Sequence, residues 1–132
     1  MNKIRPQCGL ILENEKGEIL LQLRDNKMEI PYPNCWGTFG GQVEEGESPE
    51  EAIIREIKEE IGYSLEQPEY FGNFPYQGYD IYMFKKVDSD IQIEKLKVQE
   101  GQAARFFSEE KLKELEFAFN CRYIVKYYFD NF

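Results

Sequence analysis

The alternation of apolar and polar positions predicts strands towards both ends of the chain. Residues 7–12 and 18–24 are apolar-rich runs separated by a polar turn that ends in Gly17, a pattern typical of a β-hairpin. Similar runs predict further strands over residues 70–74, 79–87 and 103–107.

Between these strands, the apolar positions change to helical spacing. Ser48, Pro49 and Glu51 have the pattern of an N-cap, a first-turn proline and a capping box, so a helix is predicted to begin near Pro49. Gly62 stands where a C-terminal glycine cap is expected, which ends the helix near Ile61. The predicted buried stripe comprises Ala52, Ile53, Ile54, Ile57 and Ile61.

The remaining segments complete the expected fold. Residues 26–34 contain two prolines and are predicted to form a loop, and residues 88–97 to form an edge strand or a loop. Ser108 is expected to cap a short helix, and residues 117–129 to form a second helical run. Strands before and after a central helix, with more helix at the end, indicate an α/β fold with a mixed sheet flanked by helices.

The first helix carries an unusual set of charges. Glu56, Glu59 and Glu60 are spaced so that they project from one face, where like charges repel by roughly 0.2–0.5 kcal/mol per pair. Glu59 and Glu60 also lie in the last turn, where the helix dipole disfavours anions. A Glu-rich face is usually solvated surface, but a divalent cation such as Mg²⁺ or Mn²⁺ would explain this one by cancelling the repulsion.

Neighbouring residues suggest that the loop and the helix form one site. Arg55 can reach Glu59 or Glu51 along the helix, and Glu47 in the preceding loop can pair with Arg55. Gly40 and Gly41 predict a glycine-rich turn just before that loop.

The segment from Gly41 to Tyr63 reads GQVEEGESPEEAIIREIKEEIGY. The spacing of its glycines, arginine and glutamates resembles the Nudix box, the signature of the Nudix hydrolase superfamily, at eight of nine defined positions. The ninth position is Tyr63, where the family has a bulky aliphatic residue. Residues 36–41 also look like the family's approach to the box, with Phe39 where proline is common.

The resemblance implies an α/β/α sandwich and hydrolysis of a nucleoside diphosphate linked to another group. Arg55 would orient a neighbouring glutamate, and Glu47 would hold Arg55. In some family members a late-loop glutamate is an extra metal ligand or the general base, so the base here is Glu56 or Glu100. The implied ligands of Mg²⁺ or Mn²⁺ are the Gly41 carbonyl, Glu56, Glu59 and Glu60.

The compact chain looks most like the MutT-type pyrophosphohydrolases, which convert a nucleoside triphosphate to a nucleoside monophosphate and pyrophosphate. Nucleotide-sugar and dinucleoside polyphosphate hydrolases are the alternatives, and Tyr79, sixteen residues past Tyr63, slightly favours the latter. Two other classes are a nucleotide-binding protein that has lost catalysis and a structural interaction domain.

Arginines and aromatic residues outside the box are candidates for substrate contacts. Arg5 and Arg24 are candidates for a phosphate or base contact, since the guanidinium fork fits phosphate oxygens. One of Tyr32, Trp36 and Phe39 is a candidate to stack on a nucleobase, although aromatic residues near a loop are more often core.

Composition limits the partners. A chain of 132 residues predicts one domain over residues 1–132, and its net charge of −9 disfavours long nucleic acid. The sequence shows neither a membrane span nor a signal peptide, so the cytoplasm is the expected location. There is no histidine, so the base is expected to be a carboxylate, and each of the three cysteines is expected to be a small buried residue. The C-terminal aromatic residues fit either a core or the surface of a homodimer.

Overall fold

A computed structural model describes residues 5–132, so the first four residues of the predicted domain lie outside the described part. The strands are β1 (Gln7–Glu13), β2 (Ile19–Leu23), β3 (Trp36–Gly37), β4 (Phe39–Gln42), β5 (Glu69–Asn73), β6 (Ile81–Val87) and β7 (Ala103–Phe107). The α-helices are α1 (Pro49–Ile61) and α2 (Cys121–Asn131). Two short 3₁₀ helices span Ile93–Lys95 and Glu110–Glu114.

The strands form one mixed sheet, with β1 at its centre. Strand β1 pairs antiparallel with β4 and parallel with β6, and β5 pairs antiparallel with β6. The predicted hairpin joins β1 to β2, which pairs antiparallel with both β3 and β7. This arrangement brings β4, just before helix α1, beside the first residues of β1.

The two helices cover opposite faces of the sheet. Successive residues of a strand point to opposite faces, so Leu10 and Leu12 of β1 pack with the apolar side of α1, while Ile11 packs with α2. Ile57 and Ile124 are the corresponding buried residues of the two helices. The structure therefore confirms the expected α/β/α sandwich with a mixed sheet.

Helix α1 begins and ends at its predicted residues because its caps form. Ser48 Oγ accepts the backbone N–H of Glu51 at 3.1 Å, and Glu51 Oε1 accepts the N–H of Ser48 at 2.9 Å. Gly62 closes the helix in the left-handed conformation, with φ at 68°. Ile54 is the exception in the predicted stripe, because it is 36% exposed at the edge of the apolar face.

Two segments differ from the sequence prediction. Gly40 and Gly41 do not form a turn, because they pair with Gly9 and Cys8 in strand β4. Residues 88–97 form a loop with a short 3₁₀ helix, which is one of the two predicted alternatives.

The second helix begins at Cys121, four residues later than predicted, because the preceding residues pair with β3 instead. Trp36 bridges to Phe117, and the N–H of Ala118 donates to the carbonyl of Trp36 at 2.8 Å.

Burial of the cysteines and of the C-terminal aromatic residues is mixed. Cys8 and Cys121 are buried as expected, but Cys35 is half-buried. On α2, Tyr128 lies in the core and Tyr123 is largely exposed. Across residues 5–132, no helix combines the length and the apolar character needed to cross a membrane.

Candidate active site

Arg55 ties the loop before α1 to the helix. Its Nε and Nη2 donate to the two carboxylate oxygens of Glu47 at 2.7 and 2.9 Å, which forms a two-bond fork. Its Nη1 donates to Glu56 at 3.0 Å and to Glu59 at 3.3 Å. Glu51, the other partner that the sequence suggested for Arg55, instead accepts the backbone N–H of Ser48.

These contacts hold both partners in their charged forms. Hydrogen bonds from Arg55, and then from the backbone of Glu44, lower the pKa of Glu47 from 4.5 to about 2. The same pairing with Glu47, helped by Glu56, raises the pKa of Arg55 further above its already high value. The loop and the helix are therefore joined by a permanent cation between carboxylates.

Glu60 lies on the other side of this group and is almost completely buried. Its exposed fraction is 2%, and its Oε1 has no hydrogen-bond partner among the described residues. Burial, then the charges of Glu100 and Glu56, raises the pKa of the Glu60 carboxyl. An unpartnered buried carboxylate oxygen is costly, and a bound cation would remove that cost.

Strand β4 leaves room for a carboxylate beside its backbone. A Cβ atom placed on Gly41 would lie 2.5 Å from Cδ of Glu56, so only glycine leaves space for that carboxylate. The Gly41 carbonyl accepts the thiol of Cys8 at 3.4 Å. Burial raises the pKa of that thiol to about 12, so Cys8 is a neutral donor here.

The donor set of this site suits a hard divalent cation, although the carboxylates are not gathered around one point. In the part of the chain that the structure describes, no three acidic, cysteine or histidine side chains stand at metal-ligand spacing. Glu59 is turned towards Arg55, and its side chain is 61% exposed. Glu56, the partnerless Glu60 oxygen and the Gly41 carbonyl nevertheless supply the oxygen donors that Mg²⁺ or Mn²⁺ prefers.

A cavity of about 180 Å³ opens beside Glu60. Gly41, Glu60 and Glu100 line one part of it. The backbone carbonyl of Glu100 accepts Gln22 Nε2 at 3.1 Å, which fixes the predicted late loop against β2. The sequence candidates Glu60 and Glu100 are thus brought together, whereas Glu47 contacts Arg55 and does not line the cavity.

The rest of the cavity lining includes Arg24, Tyr79, Phe119 and Asn120. Asn120 Nδ2 donates to the carbonyl of Phe74 at 3.1 Å, while its Oδ1 is buried and has no partner among the described residues. Phe119 and Asn120 were not predicted as cavity residues, because residues 117–129 were expected to form one continuous helix. Asn120 does occupy the N-cap position, but its side chain makes no capping bond.

The two arginine candidates have different positions. Arg24 lines the cavity, donates to the carbonyl of Pro31 at 3.0 and 3.2 Å, and lies 5.1 Å above the ring of Phe119. Arg5 lies 3.9 Å from the exposed Glu45 and is not among the cavity residues in the described part of the chain.

None of the three aromatic stacking candidates lines the cavity. Phe39 is buried in the core, and Trp36 packs edge-on against Phe107 with ring centroids 4.8 Å apart. Tyr32 packs behind Phe119, at a centroid distance of 4.7 Å. The aromatic side chains that do line the cavity are Tyr79 and Phe119.

Comparisons with known proteins agree with this geometry. An uncharacterised Nudix hydrolase of Listeria innocua is 34% identical over 106 residues, which cover 77% of this chain and 62% of that protein. The 8-oxo-dGTP diphosphatase of Escherichia coli is 36% identical over 80 residues, covering 56% of this chain and 53% of that protein. RNA pyrophosphohydrolases are also among the relatives. This chain therefore spans less than two thirds of the length of these curated relatives.

A solved MutT structure, from work on the proteins of Aliivibrio salmonicida and Vibrio cholerae, superposes with a TM-score of 0.73. It is 27% identical, and the match covers 87% of this chain and 88% of that one. The family model described as the NUDIX domain matches residues 3–128, nearly the whole sequence. The chain belongs to the Nudix family.

Proposed function

We propose that this protein is a metal-dependent pyrophosphohydrolase that converts a nucleoside triphosphate to a nucleoside monophosphate and pyrophosphate. The observation that supports it most is the buried, partnerless oxygen of Glu60 at the cavity wall, beside Glu56 and Gly41. Leaving such an oxygen without a partner costs free energy unless a ligand binds to it. In addition, a site that binds phosphate groups in a chain of net charge −9 needs positive charge from elsewhere.

The residues proposed to hold a divalent cation, most simply Mg²⁺, are Glu56, Glu60 and the Gly41 carbonyl, with Glu59 at the exposed rim. When bound, the cation neutralises phosphate charge and lowers the pKa of a coordinated water. Members of the Nudix family generally use divalent cations, which supports this assignment. Arg55 contributes by fixing Glu56 at 3.0 Å, so that the carboxylate is already oriented.

The reaction requires one water and one proton acceptor. The water oxygen forms a bond to a phosphorus of the diphosphate bridge, the bridging P–O bond breaks, and the bridging oxygen leaves with the second product. A carboxylate takes the proton of the attacking water. Glu56 and Glu100 are the two candidates, because the chain has no histidine and Glu100 lines the cavity next to Glu60.

Other residues of the cavity lining offer contacts for a nucleobase. Tyr79 and Phe119 present aromatic rings for stacking, and the free Oδ1 of Asn120 is an acceptor for a base N–H. Arg24 adds a fixed positive charge to the same lining. This arrangement supports a substrate that has a base at one end and phosphates at the other.

Analysis of the released products tests this function. Nucleoside triphosphates, nucleotide sugars and dinucleoside polyphosphates are incubated with Mg²⁺, and the products are separated by ion-exchange chromatography. We expect a nucleoside monophosphate and pyrophosphate from a triphosphate, no product without the metal, and at least a hundredfold loss of rate in Glu60→Gln.

Glu66→Gln is the matched control, because Glu66 is an exposed glutamate in the segment after α1, and it should keep full activity. Hydrolysis that persists without a divalent cation, or a Glu60→Gln protein as active as the control, would contradict the proposal. Nucleotide binding without turnover would instead indicate a binding protein with the Nudix fold.

Dinucleoside polyphosphates form the second candidate substrate class, favoured by the position of Tyr79 in the cavity lining. The same chromatography distinguishes them, since they yield two nucleotides and no pyrophosphate. The cytoplasmic location expected from the sequence stays a prediction.

A further inference from the structure

Three loops that are distant in sequence meet at the end of the cavity where Phe119 lies. Tyr32 comes from the loop between β2 and β3, and Tyr76 from the turn between β5 and β6. Both pack around Phe119, at centroid distances of 4.7 and 6.2 Å. Arg24 lies 5.1 Å above the same ring. Phe119 therefore forms part of the cavity wall and is packed by residues of two other loops.

A single hydrogen bond joins these two supporting loops. The hydroxyl oxygens of Tyr32 and Tyr76 are 2.8 Å apart, although the residues are 44 positions apart in the sequence. Each loop is also fixed internally: the N–H of Asn34 donates to the Asp25 carbonyl at 3.1 Å, and the N–H of Tyr76 donates to the Tyr79 carbonyl at 2.9 Å. The hydroxyl pair thus links two preformed loops.

The backbone at this meeting point is strained. Tyr32 has φ at 51° and Phe119 has φ at 53°, in the left-handed region that bulky side chains rarely adopt. Gln77, next to Tyr76, has φ at 49°. Each such residue costs of order 1 kcal/mol and persists only where its surroundings impose it, most often at ligand clamps. The positive φ of Gln77 belongs to the two-residue turn that it forms with Gly78. Strain at both Tyr32 and Phe119, whose rings pack together, indicates that the position of Phe119 is fixed by its surroundings.

We propose that the Tyr32–Tyr76 hydroxyl pair is a clamp that holds Phe119 in place as the stacking wall for the substrate's nucleobase. Tyr32 and Tyr76 are then positioning residues, which act on the substrate through Phe119. This inference rests on the proposed function, because it assigns the base to this end of the cavity. It places one determinant of substrate affinity in two residues outside the Nudix box.

The clamp should affect binding and leave the chemical step unchanged. Neither Tyr32 nor Tyr76 has a recorded contact with Glu56, Glu60 or Glu100, so loosening the wall should change how well the base is held and not how water is activated. A typical net hydrogen bond corresponds to about a five-fold change in an equilibrium constant. We therefore expect a rise in KM of up to about five-fold, with kcat unchanged.

Steady-state kinetics of Tyr32→Phe, Tyr76→Phe and the double variant test the clamp, using the triphosphate that the wild-type protein hydrolyses. Each single variant keeps the ring that packs on Phe119 and loses the contact between the two hydroxyls. Tyr76→Phe also loses a long contact at 3.5 Å from Gln77 Nε2 within its own turn. We expect equal rises in KM for the two single variants and no further rise in the double variant, because one shared bond is removed in every case. Tyr70→Phe, at an exposed tyrosine of strand β5, is the matched control and should not change KM.

Unchanged KM in both single variants, or rises that add in the double variant, would overturn the clamp. A fall in kcat with no change in KM would also overturn it, since the wall is assigned to binding.

Hydrogen–deuterium exchange tests the clamp without any substrate. Loss of the hydroxyl of Tyr76 should speed amide exchange in residues 25–35, and loss of the hydroxyl of Tyr32 should speed exchange in residues 75–79, each about five-fold. No change in the opposite loop would refute the link. If the wild-type protein hydrolyses no nucleotide, the proposed function fails, while this exchange result still decides whether the two loops are joined.

Discussion

Arg55 and Glu60 show how single side chains build the site in opposite ways. Arg55 has acidic partners on both sides and donates hydrogen bonds to them at 2.7 to 3.3 Å. Glu60 is buried with an unpartnered oxygen, beside two other carboxylates that disfavour its charge. The first arrangement stabilises the folded apoprotein, whereas the second leaves an oxygen that the proposed cation would complete.

The Glu47–Arg55 pair predicts a dependence of stability on acid. The pKa of Glu47 in the folded protein is lowered from 4.5 to about 2. The stability that the pair contributes is therefore present above pH 4.5 and is lost as pH falls towards 2. Glu47→Gln should therefore lower the melting temperature at pH 7, and the gap to wild type should close as pH falls through this window. Thermal melts of both proteins between pH 7 and 2.5 measure this difference in melting temperature.

Glu45→Gln is the control for this experiment, because Glu45 lies in the same loop, and its side chain is 92% exposed and 3.9 Å from Arg5. It should leave the melting temperature nearly unchanged at each pH. A gap between Glu47→Gln and wild type that stays constant down to pH 2.5 would show that the ion pair is not its source.

The contacts of Arg55 were predictable from the sequence, whereas the burial of Glu60 was not. The Arg55–Glu47 contact was predictable because the two residues are eight positions apart, across one loop and two turns of helix. The burial of Glu60 was not, because it depends on Gly40 and Glu100, which come from distant parts of the chain. Asn120 was missed for the same reason, since its partner Phe74 is 46 positions away.

At the scale of elements, strand β4 determines how closely helix α1 approaches the sheet. Its two glycines were predicted to form a turn, because glycine pairs often do so, but here they pair with β1. A Cβ on Gly40 would lie 2.0 Å from the backbone oxygen of Cys8, whereas a Cβ on Gly41 would meet only the end of the Glu56 side chain. The two glycines are therefore needed for different reasons.

Alanine substitutions at these two positions should separate stability from activity. Gly41→Ala displaces a flexible carboxylate, so we expect a loss of at least tenfold in hydrolysis with a melting temperature within a few degrees of wild type. Gly40→Ala clashes with backbone in a position where φ is 156°, so it should lower the melting temperature markedly. Equal effects of both substitutions on melting would contradict this assignment.

The helices illustrate what local sequence decides. Helix α1 was predicted to the residue because its capping box, apolar stripe and C-terminal glycine are all local signals. Helix α2 was predicted four residues too early, because residues 117–120 are apolar enough to continue it and are held instead by Trp36 of β3. Tertiary pairing overrode local propensity there, and as a result Phe119 and Asn120 line the cavity.

At the scale of the whole molecule, the sandwich brings separate segments to one cavity. Strand β4, the end of α1 and the loop at Glu100 supply the carboxylate end, and the loops before β3, β6 and α2 form the end with Phe119. The overall architecture was predictable, because a Nudix-like box indicates its fold. The position of each loop was not, because it depends on long-range contacts such as the Tyr32–Tyr76 pair.

The most direct test of this account is the thermal melting of wild type, Glu60→Gln and the Glu66→Gln control, with and without Mg²⁺ at pH 7. If Glu60 is a metal ligand, Mg²⁺ at ten times its Kd should stabilise wild type and the control by about 1.4 kcal/mol, a shift of roughly 4 °C. Without metal, Glu60→Gln should melt close to wild type, because the raised pKa of Glu60 already favours its neutral form at pH 7. The variant should not respond to Mg²⁺. A wild-type midpoint that Mg²⁺ leaves unchanged, or an equal shift in Glu60→Gln, would contradict the metal site and the hydrolysis built on it.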